Sequence, residues 1–186
     1  MSLGTRTAAT IDDLYRVEGK AELIGGRIVR FMPTGHKPGR VAFRIARRLD
    51  DYAEATGQGV AHADGPGYTV PELSSGRQSF SPDASYFLGP LPTNEMRFLN
   101  GPPTFAAEVR SENDYGDAAE AAMEAKRADY FEAGTLVVWD VDPVAEVIRC
   151  FCAKSPDVST DFHRGDDANA EPAVPDWRVS VDELFG

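Results

Sequence analysis

Residues 135–141, TLVVWDV, limit the possible folds of this chain more than any other stretch. Seven residues carrying one charge are too few to cross a bilayer and too apolar for a strand wetted on one side. They suit a strand buried on both faces, as in the middle of an α/β sheet. The residues before them, 117–133, are alanine-rich and end at Gly134, the pattern of a helix closed by a left-handed glycine. Upstream, residues 104–110 alternate: Phe105, Ala107 and Val109 face one way, and Glu108 and Arg110 the other. Strand, helix and buried strand in succession predict an α/β domain with a mixed central sheet of four or five strands and helices on both sides. TLVVWDV should lie near its centre.

The remaining elements extend this core. Thr10 and Asp13 bracket a short helix start in the capping-box spacing. Two apolar runs flank Gly25-Gly26 and read as an extra N-terminal hairpin, in which Glu22 falls opposite Val29. Val41, Ile45, Leu49 and Tyr52 recur at helical spacing, and Gly57 or Gly59 ends that helix. Residues 60–70 read as a strand broken by Gly65-Pro66-Gly67, and a strand begins just after Pro82-Asp83. Residues 89–103, with four prolines and two glycines, read as a long loop. Beyond a strand at 146–153 the chain is expected to be loop-rich, with a short strand near 177–181 and a terminal turn. The aromatic-rich ends suggest edge coverage or a homodimer contact.

The length of 186 residues fits one domain, taken as 10–186, with 1–9 expected to be disordered or tag-derived. No apolar run reaches the ~18–20 residues of a membrane span. With no leader pattern and only two cysteines, Cys150 and Cys152, the expected setting is the cytoplasm. The net charge of −11 disfavours unaided, non-specific nucleic-acid binding. That charge is uneven, however: residues 16–48 hold nine basic residues and two acids, so a locally basic surface is compatible with it.

Familiar catalytic signatures are missing. The chain has no GxGxxG or GxxxxGK[ST] phosphate loop and no GxSxG elbow, and its three histidines lack metal-ligand spacing. The Cys150/Cys152 pair reads as core thiols. What remains is a set of acids at strand positions. Asp83 opens an apolar strand and Glu108 sits inside one. A carboxylate is costly to bury unless paired or bound to a metal. Two of them on adjacent strands would make an oxygen-rich site suited to Mg²⁺. On the following helix, Ala119, Ala122, Lys126, Tyr130 and Ala133 fall on one face, so Lys126 is the lone charge of an apolar stripe. It either snorkels to solvent or reaches across the sheet towards the acids.

These residues, in order, resemble the Uma-two family of putative restriction endonucleases, a branch of the PD-(D/E)XK nuclease superfamily. The matching stretches are Glu22-Leu23-Ile24-Gly25-Gly26, Pro82-Asp83, Glu108-Val109-Arg110-Ser111, and Lys126 through Tyr130 and Gly134 to Trp139-Asp140-Val141-Asp142-Pro143. Pro38 stands where such proteins commonly carry a histidine, with His36 two residues earlier, and Gly25 where they often carry aspartate. The resemblance implies a restriction-endonuclease-like core and hydrolysis of DNA phosphodiester bonds with Mg²⁺, or Mn²⁺ in its place. It implies Asp83, Glu108 and Glu22 as metal-binding acids, Lys126 as the catalytic lysine, and Arg110 as a partner of Glu108 or a phosphate contact. Two other readings stay open: a catalytically inactive nuclease-fold module for binding or assembly, and a purely structural ion network.

Overall fold

Local chemistry sets the start of the chain in the computed structural model, which describes residues 8–186. The expectation for residues 1–7 lies outside the described residues. Ala9 donates its N–H to the Gly26 carbonyl at 2.9 Å, so the fold is already engaged one residue before the expected boundary. Thr10 caps α1 (Ile11–Leu14), and Asp13 returns the bond to the Thr10 N–H at 3.0 Å, completing a capping box. β1 (Ala21–Ile24) and β2 (Arg27–Arg30) pair antiparallel across Gly25 and Gly26, with Glu22 opposite Val29. Both glycines have positive φ, 55° and 68°, which a two-residue turn of this hand needs.

α2 (His36–Thr56) begins five residues before the apolar periodicity. Pro38 is tolerated because the first helical turn has no intrahelical use for its N–H. Gly57, left-handed at φ 65°, closes the helix. There follow β3 (Val60–Ala63), β4 (Tyr68–Thr69), β5 (Ser79–Phe80), β6 (Ala84–Phe87), β7 (Leu99–Asn100) and β8 (Phe105–Val109). α3 (Asp117–Ala133) then leads into β9 (Val137–Asp142), β10 (Val147–Cys152), β11 (Ser155–Phe162), β12 (Asp167–Ala170), β13 (Val174–Ser180) and α4 (Val181–Phe185).

The central sheet has six strands, in the order β11-β10-β9-β8-β6-β3. Only β8 and β9 run parallel, joined by α3 as the crossover, and their register sets Glu108 beside Asp140. Every residue of β9 is buried, as the TLVVWDV run requires. One face of the sheet packs Phe105, Ala107 and Trp139 against Val41, Ile45 and Leu49 of α2, and the C-terminal β12–β13 hairpin and α4 close that side with Trp177 and Leu184. The other face sets Ala106 and Val138 under Tyr130 of α3, alongside Tyr68, Phe80 and Leu99 of the small β5-β4-β7 sheet.

Three expectations are corrected. The sheet has six strands rather than four or five. The stretch after residue 153 is mostly strand, and the loop at 89–103 contributes β7. β11 was hidden because its sequence, SPDVSTDF, is polar and largely exposed; it is an edge strand with an early proline and two acids, features that discourage further pairing. No helix among the described residues is long and apolar enough to cross a membrane.

Phe105 is fully buried and meets Trp139 edge-on at 5.1 Å. Phe105→Ala is expected to cost about 3–5 kcal/mol in urea unfolding. A loss under ~1 kcal/mol would place the core elsewhere.

Candidate active site

The site grows from the junction of β6 and β8. Asp83 precedes β6, and its N–H donates to the Ala107 carbonyl at 3.1 Å. Its Oδ2 accepts the Val109 N–H at 2.8 Å, so the side chain prolongs the ladder between the two strands. The other oxygen, Oδ1, lies 2.5 Å from the Lys20 ammonium, which also reaches Asp64 at 2.8 Å. This backbone clamp seats Asp83 one strand away from Glu108.

Strand alternation turns Glu108 towards α3, opposite to Phe105, Ala107 and Val109, which pack on α2. Lys126 and Tyr130 lie four apart on α3 and meet on one helix face. Both reach Glu108 Oε1: the Tyr130 hydroxyl donates at 2.6 Å and Lys126 Nζ lies at 2.9 Å. Lys126 Nζ is also 3.1 Å from Oε1 of Glu22, which is wholly buried. The same Glu22 oxygen accepts the Ser81 N–H at 3.0 Å, and its Oε2 receives the Arg77 guanidinium. Arg77 Nε in turn donates to Asp129 at 2.7 Å.

Glu22, Asp83, Glu108 and Lys126 thus come together from four separate segments. Lys126 reaches over the sheet, with its side chain 16% exposed, instead of snorkelling into solvent. The expected apolar stripe around it is shorter than its spacing suggests: Tyr130 is buried, but Ala122 is exposed. Arg110 does not join the group. It shares the Glu108 side of β8 but is held by Asp140, at 2.8 and 2.7 Å, and by Glu120. Two cations that sequence reasoning missed, Lys20 and Arg77, do join. Neither lies in a recognisable motif, and only tertiary pairing puts them here.

Burial and charge set the protonation states. Burial opposes the Lys126 charge, but Glu108 and Glu22 outweigh it and hold the lysine above its ordinary value. Lys126 is therefore an ammonium at neutral pH, a donor and not a base. Burial likewise opposes the Glu22 charge, but Lys126 and Arg77 prevail and hold it below the usual carboxylate value. Glu108 goes the other way. Burial raises it, Lys126 pulls it back, and the neighbouring Asp83 charge adds to the rise.

The five carboxylates Glu22, Asp64, Asp83, Glu108 and Asp129 face the three cations Lys20, Arg77 and Lys126, an excess of two negative charges. Their free valences differ. Both Glu22 oxygens are engaged by cations and a backbone N–H. Glu108 uses only Oε1 for its protein partners, and Asp83 Oδ1 is met by the flexible Lys20 alone. Among the described residues no group of three or more His, Cys, Asp or Glu side chains is arranged to hold a metal ion.

A mixed central sheet with a parallel β8–α3–β9 centre and helices on both faces defines an α/β fold, with the acids and the helical lysine at the junction of β6 and β8. Residues 9–182 match the Uma2 family, described as "Putative restriction endonuclease", and the chain belongs to this family. Its fold is similar to the crystal structure of a putative nuclease belonging to DUF820 from Anabaena variabilis, with a TM-score of 0.72 over 95% of this chain and 97% of that one, at 16% identity. Comparison with curated proteins gives no match.

Glu22 makes the network sensitive to acid. Its folded value lies below the ordinary 4.5, so the stability it contributes is present above about pH 4.5 and is lost as pH falls through the depressed value. Glu22→Gln is expected to lower stability at pH 7 by about 3–5 kcal/mol, since it leaves Arg77 and Lys126 short of a counter-charge. The gap to wild type should narrow below pH 4.5 in urea midpoints taken from pH 7 to 3. A gap that does not change with pH would show that Glu22 is not charged in the fold.

Proposed function

We propose that this protein is a metal-dependent nuclease that hydrolyses DNA phosphodiester bonds. The observation carrying this reading is the Lys126 ammonium, set 2.9 Å from Glu108 across the sheet, with Asp83 clamped on the adjoining strand. Membership of a family described as "Putative restriction endonuclease" supports it.

Asp83 and Glu108 suit Mg²⁺, with Mn²⁺ as a substitute. They offer hard oxygens beside a doubly negative excess, and Mg²⁺ is commonly held by one or two carboxylates, several waters and a substrate phosphate oxygen. When bound, the ion supplies Lewis-acid polarisation and a water of lowered pKa. Glu22 is assigned another task than direct ligation, because both of its oxygens are occupied: it holds Lys126 through a second ion pair beside that to Glu108.

The chain's own groups supply the rest. Lys126 donates a hydrogen bond to a non-bridging phosphoryl oxygen and stabilises the charge that builds there in the transition state. Tyr130 holds the Glu108 carboxylate in one orientation through its 2.6 Å hydrogen bond. Lys20 keeps Asp83 paired until substrate and cation arrive, and Arg77 holds Glu22 in place.

Wild-type protein should cleave supercoiled, linear or single-stranded DNA with Mg²⁺. Asp83→Asn, Glu108→Gln and Lys126→Met should each lower the rate by about 10²-fold or more. In calorimetric titration Glu108→Gln should lose Mg²⁺ or Mn²⁺ binding while Lys126→Met keeps it. Wild-type protein that binds neither ion and cuts none of these substrates would favour the inactive nuclease-fold module.

A further inference from the structure

We infer that β2 and the residues that follow it form a docking lip for a single-stranded DNA segment next to the scissile phosphate. The inference rests on the nuclease reading for where that strand leads.

The lip starts at the site. Side chains alternate along β2, and Glu22 lies opposite Val29, so Arg27, Val29 and Phe31 share the Glu22 side of the hairpin. Phe31 stays extended by donating its N–H to the Lys20 carbonyl at 3.0 Å. Its ring lies 5.5 Å from Lys126 Nζ. The row therefore begins beside the proposed catalytic ammonium and runs outward along β2, which among the described residues pairs as a strand with β1 alone. Residues 31–35 then cross the end of the central sheet, because α2 opens at His36 and Lys37 reaches Glu146 in the β9–β10 turn at 3.0 Å.

Two properties identify the occupant. The first is charge. Arg27 and Arg30 of β2 are exposed and, among the described residues, have no carboxylate within salt-bridge distance, whereas Lys20, Lys37, Arg48, Arg77 and Arg110 all do. In a chain of net charge −11, two unpaired cations on the strand that leads to Phe31 and Lys126 complement a polyanion. The second is apolar exposure. Phe31 is 38% and Met32 85% exposed, although each could bury apolar area. A duplex presents phosphates outward and hides the faces of its bases. Cations interleaved with an aromatic ring and a thioether instead fit a strand whose bases are free to stack while its phosphates are neutralised.

The test reads binding without cleavage. Anisotropy of a labelled oligothymidine of about 20 nucleotides is measured in EDTA over a salt series, against the matching duplex, with circular dichroism checking that each variant is folded. Wild-type protein should prefer the single strand. Arg27→Gln and Arg30→Gln should each weaken binding and flatten the log–log salt slope by about 0.7 for each phosphate that is no longer neutralised. Phe31→Leu keeps an apolar group under Lys126 but removes the ring, and should weaken binding roughly 5- to 100-fold. Lys154→Gln should bind like wild type. Lys154 is exposed at the opposite end of the sheet, where Ala153 donates to the Leu136 carbonyl at 2.9 Å.

The inference is overturned if wild-type protein does not bind the single strand, if it binds the duplex as well or better, if the lip variants bind like wild type, or if Lys154→Gln weakens binding as much as they do. Cleavage separates the two readings. Absence of the lip effects with Asp83-dependent cutting intact removes only the lip, and lip-dependent binding without any cutting removes only the nuclease.

Discussion

A lysine ammonium held by one buried and one half-buried carboxylate above a β-sheet is the interaction on which the rest of the site depends. Such a charge is stable away from water only if its counter-charges are close and are themselves satisfied. Glu22 meets that condition through Arg77 and the Ser81 N–H, and Glu108 through Tyr130. Glu22 lies on the hairpin, Arg77 and Ser81 flank β5, and Lys126 and Tyr130 lie on α3, so these three segments are tied together at one point. The network therefore specifies how the N-terminal ribbon docks on the central sheet as well as what chemistry that surface can perform.

The parallel pair in the middle of the sheet makes this possible. A crossover between parallel neighbours must pass over one face, and α3 is that crossover, carrying Lys126 and Tyr130 above Glu108. Gly134, at φ 111°, turns the chain from helix to strand without the strain another residue would meet. Antiparallel β6 then brings Asp83 alongside through a side-chain continuation of the strand ladder. Position on the backbone thus fixes both candidate metal-binding acids, and flexible cations adapt around them.

The core was legible in the sequence where burial leaves a pattern. TLVVWDV read as an internal strand, Gly25-Gly26 as a tight turn, and the alternation of residues 105–109 put Glu108 on the face opposite to Phe105, Ala107 and Val109. The convergence of Glu22, Asp83, Glu108 and Lys126 was legible as a set of acids at strand positions and one cation on a helix. Lys20 and Arg77 were not, because an isolated cation in a turn or short strand reads as surface until its buried partner is known. Arg110 misled for a related reason. Its side of the strand was right, but two further acids, Asp140 and Glu120, competed for it. β11 escaped because an exposed edge strand has no hydrophobic alternation to betray it.

The sheet also works as a partition. Glu108 and Glu22 meet Lys126 on the α3 side, while the C-terminal hairpin and final helix seal the other, where the Trp177 indole donates to the Arg48 carbonyl of α2 at 3.1 Å. Six strands lie between the two layers. Substitutions in the far layer can accordingly change the stability of the domain without touching a side chain of the candidate site, so the two properties can be varied separately.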